Sequence, residues 1–172
     1  MIAETQRLIL RPLTPDDAAD LFRIYSDALV MQYMGTAPAT VEQEKANIEA
    51  HVRDFYGRHG FGLWPAVLKS SKETIGWCGL LRYELNGRPE TEISYLLDRR
   101  HWGQGYATEA GAAVVRIAFE ELGLDRLIAL IAPANTVSAR VAARLGFQWE
   151  GKVEYKRFGL VDLYARGRNG VG

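Results

Sequence analysis

The segment Arg100-His101-Trp102-Gly103-Gln104-Gly105-Tyr106-Ala107 sets two glycines between a strand-like run, Glu92 to Leu97, and a long helical pattern that starts near Gly105. A chain punctuated in this way must turn sharply from extended to helical backbone, and glycine allows that turn because it has no Cβ to clash. The turn also bares the first N–H groups of a helix, which no intrahelical carbonyl satisfies, at the end where the peptide dipoles favour negative charge. Such a place suits a phosphate. A dinucleotide fingerprint would need a third glycine where Thr108 stands, and a Walker loop would need Lys-Ser or Lys-Thr where Tyr106-Ala107 stand. The loop is therefore a phosphate cradle of another kind, or only a tight strand-to-helix turn.

Upstream, Arg7 to Leu13 alternates as a strand does, and Thr14-Pro15-Asp16-Asp17 opens a helix with a cap, a proline at its first position and early acids, running to about Ser26. Asp27 to Ala39 breaks the pattern. Thr40-Val41-Glu42-Gln43 restarts a helix through a capping box and carries it to Gly57–Gly60. Gly62 to Leu68, Thr74 to Tyr83 and Glu90 to Leu97 then form three strands separated by good turn sequences, an antiparallel meander. After the glycine loop, Ala107, Ala110, Val114, Ile117 and Ala118 recur at helical spacing up to Gly123. Arg126 to Ile131 follows as a strand, Asn135 to Arg144 as a short helix, and Phe147 to Arg157 with Leu160 to Arg166 as a closing strand pair. Helices between strands in the second half imply parallel crossovers, so the class is α+β with a mixed sheet.

At 172 residues and 48% hydrophobic, the chain is long enough for one domain over residues 1–172 and short for two. Lys and Arg number 21, as do Asp and Glu, so no net field draws it to nucleic acid or to an anionic membrane. Met1-Ile2-Ala3-Glu4-Thr5 shows no basic-then-apolar signal pattern, and the longest apolar run, Leu127 to Ala134, is too short for a bilayer. A cytoplasmic protein is expected. The single cysteine, Cys78, lies in a strand-like apolar context and is taken as core. His51, His59 and His101 lack metal-ligand spacing and are expected at the surface, with no metal site.

About thirty residues beyond the glycine loop comes Asn135-Thr136-Val137-Ser138, on a helix that ends Leu145-Gly146-Phe147. Together the two segments resemble the Gcn5-related N-acetyltransferase (GNAT) superfamily. Its acetyl-coenzyme A site carries an Arg/Gln-x-x-Gly-x-Gly/Ala loop followed by an Asn-x-x-Ser helix ending Leu-Gly-Phe. Arg7-Leu8-Ile9-Leu10-Arg11-Pro12-Leu13, the run from Trp102 to Ala110 and the tail Asp162-Leu163-Tyr164-Ala165 are similar to the branch that acetylates N-termini of ribosomal proteins (RimJ/RimL-like). The resemblance implies a mostly antiparallel sheet of about seven strands with about four helices, splayed between its fourth and fifth strands. It also implies acetyl-coenzyme A as co-substrate. Diphosphate would lie on the amides of Gly103, Gln104, Gly105, Tyr106 and Ala107 with Arg100 nearby, and pantetheine beside Leu96 and Leu97. Asn135 would bond the pantetheine or adenine-side arm, and Ser138 would stand near the sulfur. On local sequence, Asn135 and Ser138 are equally a helix N-cap and its partner.

Acyl transfer needs a neutral amine, a base for its proton and help for the departing thiolate. An α-amine, pKa about 8, is roughly a tenth neutral at pH 7, whereas a lysine amine near about 10.4 is neutral less than about once in a thousand. Strand alternation sets Glu92, Ser94 and Leu96 on one face and Ile93, Tyr95 and Leu97 on the other, and the resemblance makes Glu92 the base. A solvated or salt-bridged strand carboxylate is the other reading. Glu109 is read as a first-turn acid facing the helix dipole. Where many superfamily members carry a tyrosine acid, this chain has Ala142, which leaves Ser138 as the donor to the sulfur. Acceptor choice falls to Met31, Tyr33, Met34, Trp64, Trp77, Tyr83 and the Tyr155–Asp162 hairpin, although aromatic and Met residues at such spacing are usually core.

The leading expectation is an N-acetyltransferase acting by direct attack in a ternary complex, with a protein or peptide N-terminal α-amine preferred over a small-molecule amine such as an antibiotic or polyamine. An idle acyl-coenzyme A sensor stands second and a purely structural domain third. A homodimer is compatible with all of these.

Overall fold

Asn86 and Gly87 both hold positive φ, 51° and 75°, the backbone of a two-residue turn whose twist matches the strands it joins. That turn folds β4 (Thr74–Leu85) against β5 (Arg88–Leu97), which pair along their whole length from Gly76↔Leu97 to Leu85↔Arg88. They are the spine of the sheet. In this computed structural model, which describes residues 1–155 and 158–168, one side of the spine is built by β1 (Ala3–Glu4), β2 (Leu8–Leu10) and β3 (Leu63–Leu68). On the other side stand β6 (Arg126–Ile131), β7 (Gln148–Glu154) and β8 (Leu160–Gly167). The order across the sheet is β1-β2-β3-β4-β5-β6-β8-β7, and every neighbouring pair is antiparallel except β5 with β6.

The helices divide between the two faces. Ile93 and Leu97 of β5, with Cys78 and Leu80 of β4, pack under α5 (Tyr106–Arg116) and α6 (Thr136–Arg144) through Ala110, Val114, Val141 and Ala142. Trp77 and Leu96 look the opposite way and meet Leu21 and Ile24 of α1 (Ala18–Tyr25), Val30 of α2 (Ala28–Met31) and Ile48 of α3 (Val41–Ala50). The period-two burial of β5 is thus explained by a helical layer on each side. Beyond α3 the chain widens into π-type turns over His51–Tyr56 and ends in α4 (Gly57–His59) before Gly60.

The sheet has eight strands where seven were expected. The extra one, β1, is two residues long, too short to show alternation; the splay expected between the fourth and fifth strands therefore falls between β5 and β6. Of the run Arg7 to Leu13 only Leu8–Leu10 is strand, because Pro12 cannot donate a ladder hydrogen bond. Asp17 then accepts the Thr14 N–H at 2.9 Å and pairs with the Arg11 guanidinium, which fixes the entry to α1. In the supposedly irregular stretch after Asp27, its carboxylate caps α2 by accepting the Leu29 N–H at 3.0 Å. Strand β7 stops at Glu154; Lys156 and Arg157, included in the expected strand and hairpin, lie outside the described residues.

Leu80, 0% exposed between the sheet and α5, and Trp149, 58% exposed on β7, give contrasting expectations. Leu80→Ala should lower the unfolding free energy by about 2–5 kcal/mol, and Trp149→Ala by under about 1 kcal/mol, as read from denaturant midpoints.

Candidate active site at the opening of the sheet

A single register point, Glu92↔Ile128, joins β5 to β6. In an unbroken parallel ladder the Leu130 N–H would bond to the β5 main chain; here it points at Glu92 Oε1, 3.4 Å away. Past Glu92 the two strands diverge. The Asp98 N–H bonds to Ile75 of β4 at 2.8 Å, so by alternation the main-chain groups of Tyr95 and Leu97 turn toward the opening, while those of Leu96, opposite Trp77, turn to β4. Of the expected pair Leu96 and Leu97, only Leu97 presents backbone to the gap, with Tyr95 beside it. The Leu97 carbonyl is taken by the Trp102 indole N–H at 2.8 Å, which leaves its N–H as the group directed into the opening.

The opening holds a cavity of about 200 Å³ bordered from both faces of the sheet. Glu92, 8% exposed, sits at its apex and accepts the Tyr83 hydroxyl at 3.0 Å. Burial, and then the neighbouring Glu92 charge, push the Tyr83 phenol well up, so it remains a donor. Its ring stacks on Tyr155, which stacks on Phe158, and Tyr33, Met34 and Gly35 close the rim. On the other face, Asn135 caps α6 by accepting the Ser138 N–H at 3.1 Å, and the Ser138 carbonyl accepts the Tyr95 hydroxyl at 3.0 Å. Asn135 and Ser138 both border the cavity. Glu92 shares the face of Leu96, and Ser138 that of Tyr95. The two candidate catalytic groups thus flank one passage from opposite sides.

A larger groove, about 770 Å³, opens at the far end of β5 and β6. Its Arg126 is paired to Glu150 at 2.6 Å and to Glu90 at 3.5 Å, and the glycine loop does not reach it. The smaller cavity is the one that gathers the candidate residues Glu92, Asn135 and Ser138.

The glycine loop begins where Asp98 accepts the Arg100 N–H at 2.9 Å and caps a single turn, Arg99–His101. Gly103 and Gly105 follow at φ 74° and 83°, and α5 starts at Tyr106. Among the described residues no acceptor meets the N–H groups of residues 103 to 108, and no atom stands within 4 Å of where a Gly103 Cβ would be. Six N–H groups without a protein acceptor, beside open space, suit an anion such as a diphosphate. Arg100, expected there as the cation, is engaged by Asp98 at 2.7 Å and Glu73 at 2.6 Å. Burial would raise the Asp98 pKa, but the Arg100 and Arg23 guanidiniums hold it well below the usual carboxylate range.

Sequence reasoning missed one group here. Arg7 lays its guanidinium over the Tyr106 ring, 4.2 Å from the centroid, and gives Nη1 to the Gln104 carbonyl at 3.0 Å and Nε to Glu109 at 2.6 Å. Glu109 also accepts the Thr5 hydroxyl at 2.6 Å and the Arg7 N–H at 2.7 Å. It is a tether between the first strands and the loop, more than a helix-dipole acid; burial opposes its ionisation, but these bonds keep its pKa below normal. The only signal for Arg7 was its place in the Arg7–Leu13 run.

Other expectations are corrected by packing. Trp64 and Trp77 belong to the core, the latter donating its indole N–H to Tyr25 at 2.7 Å, and Met31 packs half-buried against it. The three histidines are half-buried rather than at the surface: His51 accepts the Leu63 N–H at 3.1 Å, His59 packs on Phe55 and Phe61, and His101 lies edge-on to Tyr106. No metal-binding group of His, Cys and acids occurs among the described residues, and no described helix is long and apolar enough to cross a membrane. Cys78 is buried core, its thiol pKa pushed up by burial.

The sheet thus opens between β5 and β6, with the glycine turn beyond the end of β5 and the buried Glu92 carboxylate where the two strands part. Residues 7–148 match the model of the acetyltransferase (GNAT) domain, and the chain belongs to that family. It is 34% identical over 164 residues to an uncharacterized N-acetyltransferase, p20, of Bacillus licheniformis, covering 93% of this chain and 91% of that one. It is 24% identical over 150 residues to spermidine N(1)-acetyltransferase of Escherichia coli K12, covering 87% and 77%. A structure described as that of a ribosomal-protein-serine acetyltransferase from Vibrio cholerae superposes with a TM-score of 0.81, at 20% identity over 95% of each chain. The protein is therefore an N-acetyltransferase of the GNAT type, a family that draws on acetyl-coenzyme A.

Because the Asp98 pKa is depressed on folding, its stabilisation is present above the ordinary carboxyl value of about 4 and is lost as pH falls through the folded value. Asp98→Asn should lower the thermal midpoint at pH 7, and the gap to the parent should narrow below about pH 4. A gap that stays constant with pH would contradict this.

Proposed function

We propose that residues 1–172 form one acetyltransferase domain that acetylates the α-amine of a protein or peptide N-terminus by direct attack in a ternary complex. The observation that carries this reading is Glu92, a buried carboxylate at the apex of a narrow cavity that continues through the sheet to Ser138. Acetyl-coenzyme A supplies an acetyl thioester. On the donor side, the amides of Gly103, Gln104, Gly105, Tyr106 and Ala107 hold the diphosphate. The backbone of Tyr95 and Leu97 lines the pantetheine arm, with the Leu96 side chain behind it, and the Asn135 amide bonds the arm. Arg100 supports the turn through Asp98 and Glu73.

On the acceptor side, Glu92 takes the amine's proton, directly or through one water, and the Tyr83 hydroxyl orients it. Main-chain N–H groups of β5 that face the opening are placed to stabilise charge on the acyl oxygen. Ser138 donates a hydrogen bond to the departing sulfur, whose conjugate thiol, pKa about 8.5, needs only modest help.

Cavity size and lining support the choice of amine. At about 200 Å³ it is smaller than the roughly 300–1,000 Å³ of sites that engulf a whole ligand, so it admits one end of an acceptor whose remainder stays outside. Among the described lining residues Glu92 is the only acid, amid Tyr33, Met34, Tyr155 and Phe158. A polyamine brings further cations, for which this lining offers no second carboxylate. A peptide N-terminus brings a single amine that is already partly neutral at pH 7. The spermidine enzyme of E. coli is the relative that favours the other reading.

Thiol release with a panel of N-terminal peptides, spermidine and small amines separates the two. Peptides should be acetylated, with mass spectrometry placing the group on the α-amine, and spermidine should not. Turnover with spermidine alone would overturn the peptide assignment, and silence with every acceptor would favour a coenzyme sensor. With an active peptide, Glu92→Gln should lower kcat about 10²–10⁴-fold with acetyl-coenzyme A affinity unchanged, while Ser138→Ala slows turnover without abolishing it.

A further inference from the structure

The cation expected beside the glycine turn, Arg100, is paired with Asp98 and Glu73. The guanidinium that touches the turn is that of Arg7, 97 residues before Gln104. Its Nε is fixed by Glu109 and its Nη1 by the Gln104 carbonyl, with the Tyr106 ring beneath the plane. A guanidinium carries five N–H donors in a rigid fork. Nη2 meets no acceptor among the described residues, and it lies 3.5 Å from where a Cβ at Gly105 would stand, beside the bare amides of the loop.

We propose that Arg7 is a ligand of the coenzyme diphosphate, reaching it through Nη2 from the first strands of the sheet. The inference rests on the reading that the glycine loop holds that group. Three contacts fix the fork before any anion arrives, so its remaining donors are already oriented. Because Glu109 offsets the charge, Arg7 contributes directed N–H bonds more than a bare positive field, and a lysine cannot replace it. The side chain is 40% exposed, which leaves it reachable from solvent.

Calorimetric titration of coenzyme A, dephospho-coenzyme A and pantetheine into the parent, Arg7→Lys and Arg7→Gln tests this, with thermal melts confirming that each variant is folded. Both variants should bind coenzyme A and dephospho-coenzyme A about tenfold or more weaker than the parent, a loss of about 1.4 kcal/mol or more. Binding of pantetheine, which lacks the diphosphate, should be unchanged. Arg7→Lys, which keeps a cation opposite Glu109, guards against a variant that fails to fold. Parent-like affinity for dephospho-coenzyme A in Arg7→Lys would overturn the assignment and, if coenzyme A were still weakened, would place Arg7 on the 3′-phosphate. An equal loss with pantetheine would reduce Arg7 to a brace for the loop. A folded parent that binds no coenzyme A would instead refute the glycine-loop reading itself.

Discussion

Everything at this site follows from two parallel strands that share one register point and then separate. Backbone polar groups that leave a ladder must find other partners or water, and a sheet opened in its middle keeps them directed inward where packing fixes their geometry. β5 can afford to part from β6 because its other edge is bonded to β4 along its whole length. The opening therefore costs no loss of strand definition: one edge of β5 is rigid and the other is available to a substrate.

The same strand organises both sides of the candidate site. Its side chains alternate, so Glu92 reaches one face and Tyr95 the other, and the Tyr95 hydroxyl ties α6 to the strand through the Ser138 carbonyl. Its last residues lead into Asp98, whose carboxylate joins α1, through Arg23, to the turn before α5, through Arg100. A second tether, Glu109 with Thr5 and Arg7, holds the start of α5 from the sheet's opposite edge. The glycine loop is thus clamped on two sides by charge-assisted bonds while its own amides stay bare. That combination, rigid support and unsatisfied donors, is what an anion site requires.

Local signals in the sequence revealed much of this. The glycine pair, the capped helix at Asn135 and the alternation of Glu92 to Leu97 each rest on interactions within a few residues, and each has its expected form in the structure. Long-range pairings were invisible. Nothing near Arg7 or Glu109 states that they meet 102 residues apart, and nothing near Arg100 states that its guanidinium meets Glu73, 27 residues earlier. Leu96 was grouped with Leu97 because sequence alternation assigns side-chain faces but not which ladder edge the backbone serves; that needed the bond from Asp98 to Ile75. Trp64 and Trp77 suggested an acceptor pocket by residue type alone, and burial placed them in the core.

The central claim is that main-chain nitrogens of the turn after Leu97 grip a diphosphate. Its most direct test is the coenzyme A affinity of a protein carrying Gly103→Val and Gly105→Val. Both sites have left-handed φ, where an L side chain costs roughly 1–2 kcal/mol, and no backbone atom stands within 4 Å of either added Cβ, so the fold should survive. The account predicts a cooperatively folding protein whose coenzyme A affinity is lost by about a hundredfold or more. A folded double variant that binds coenzyme A as tightly as the parent would contradict it.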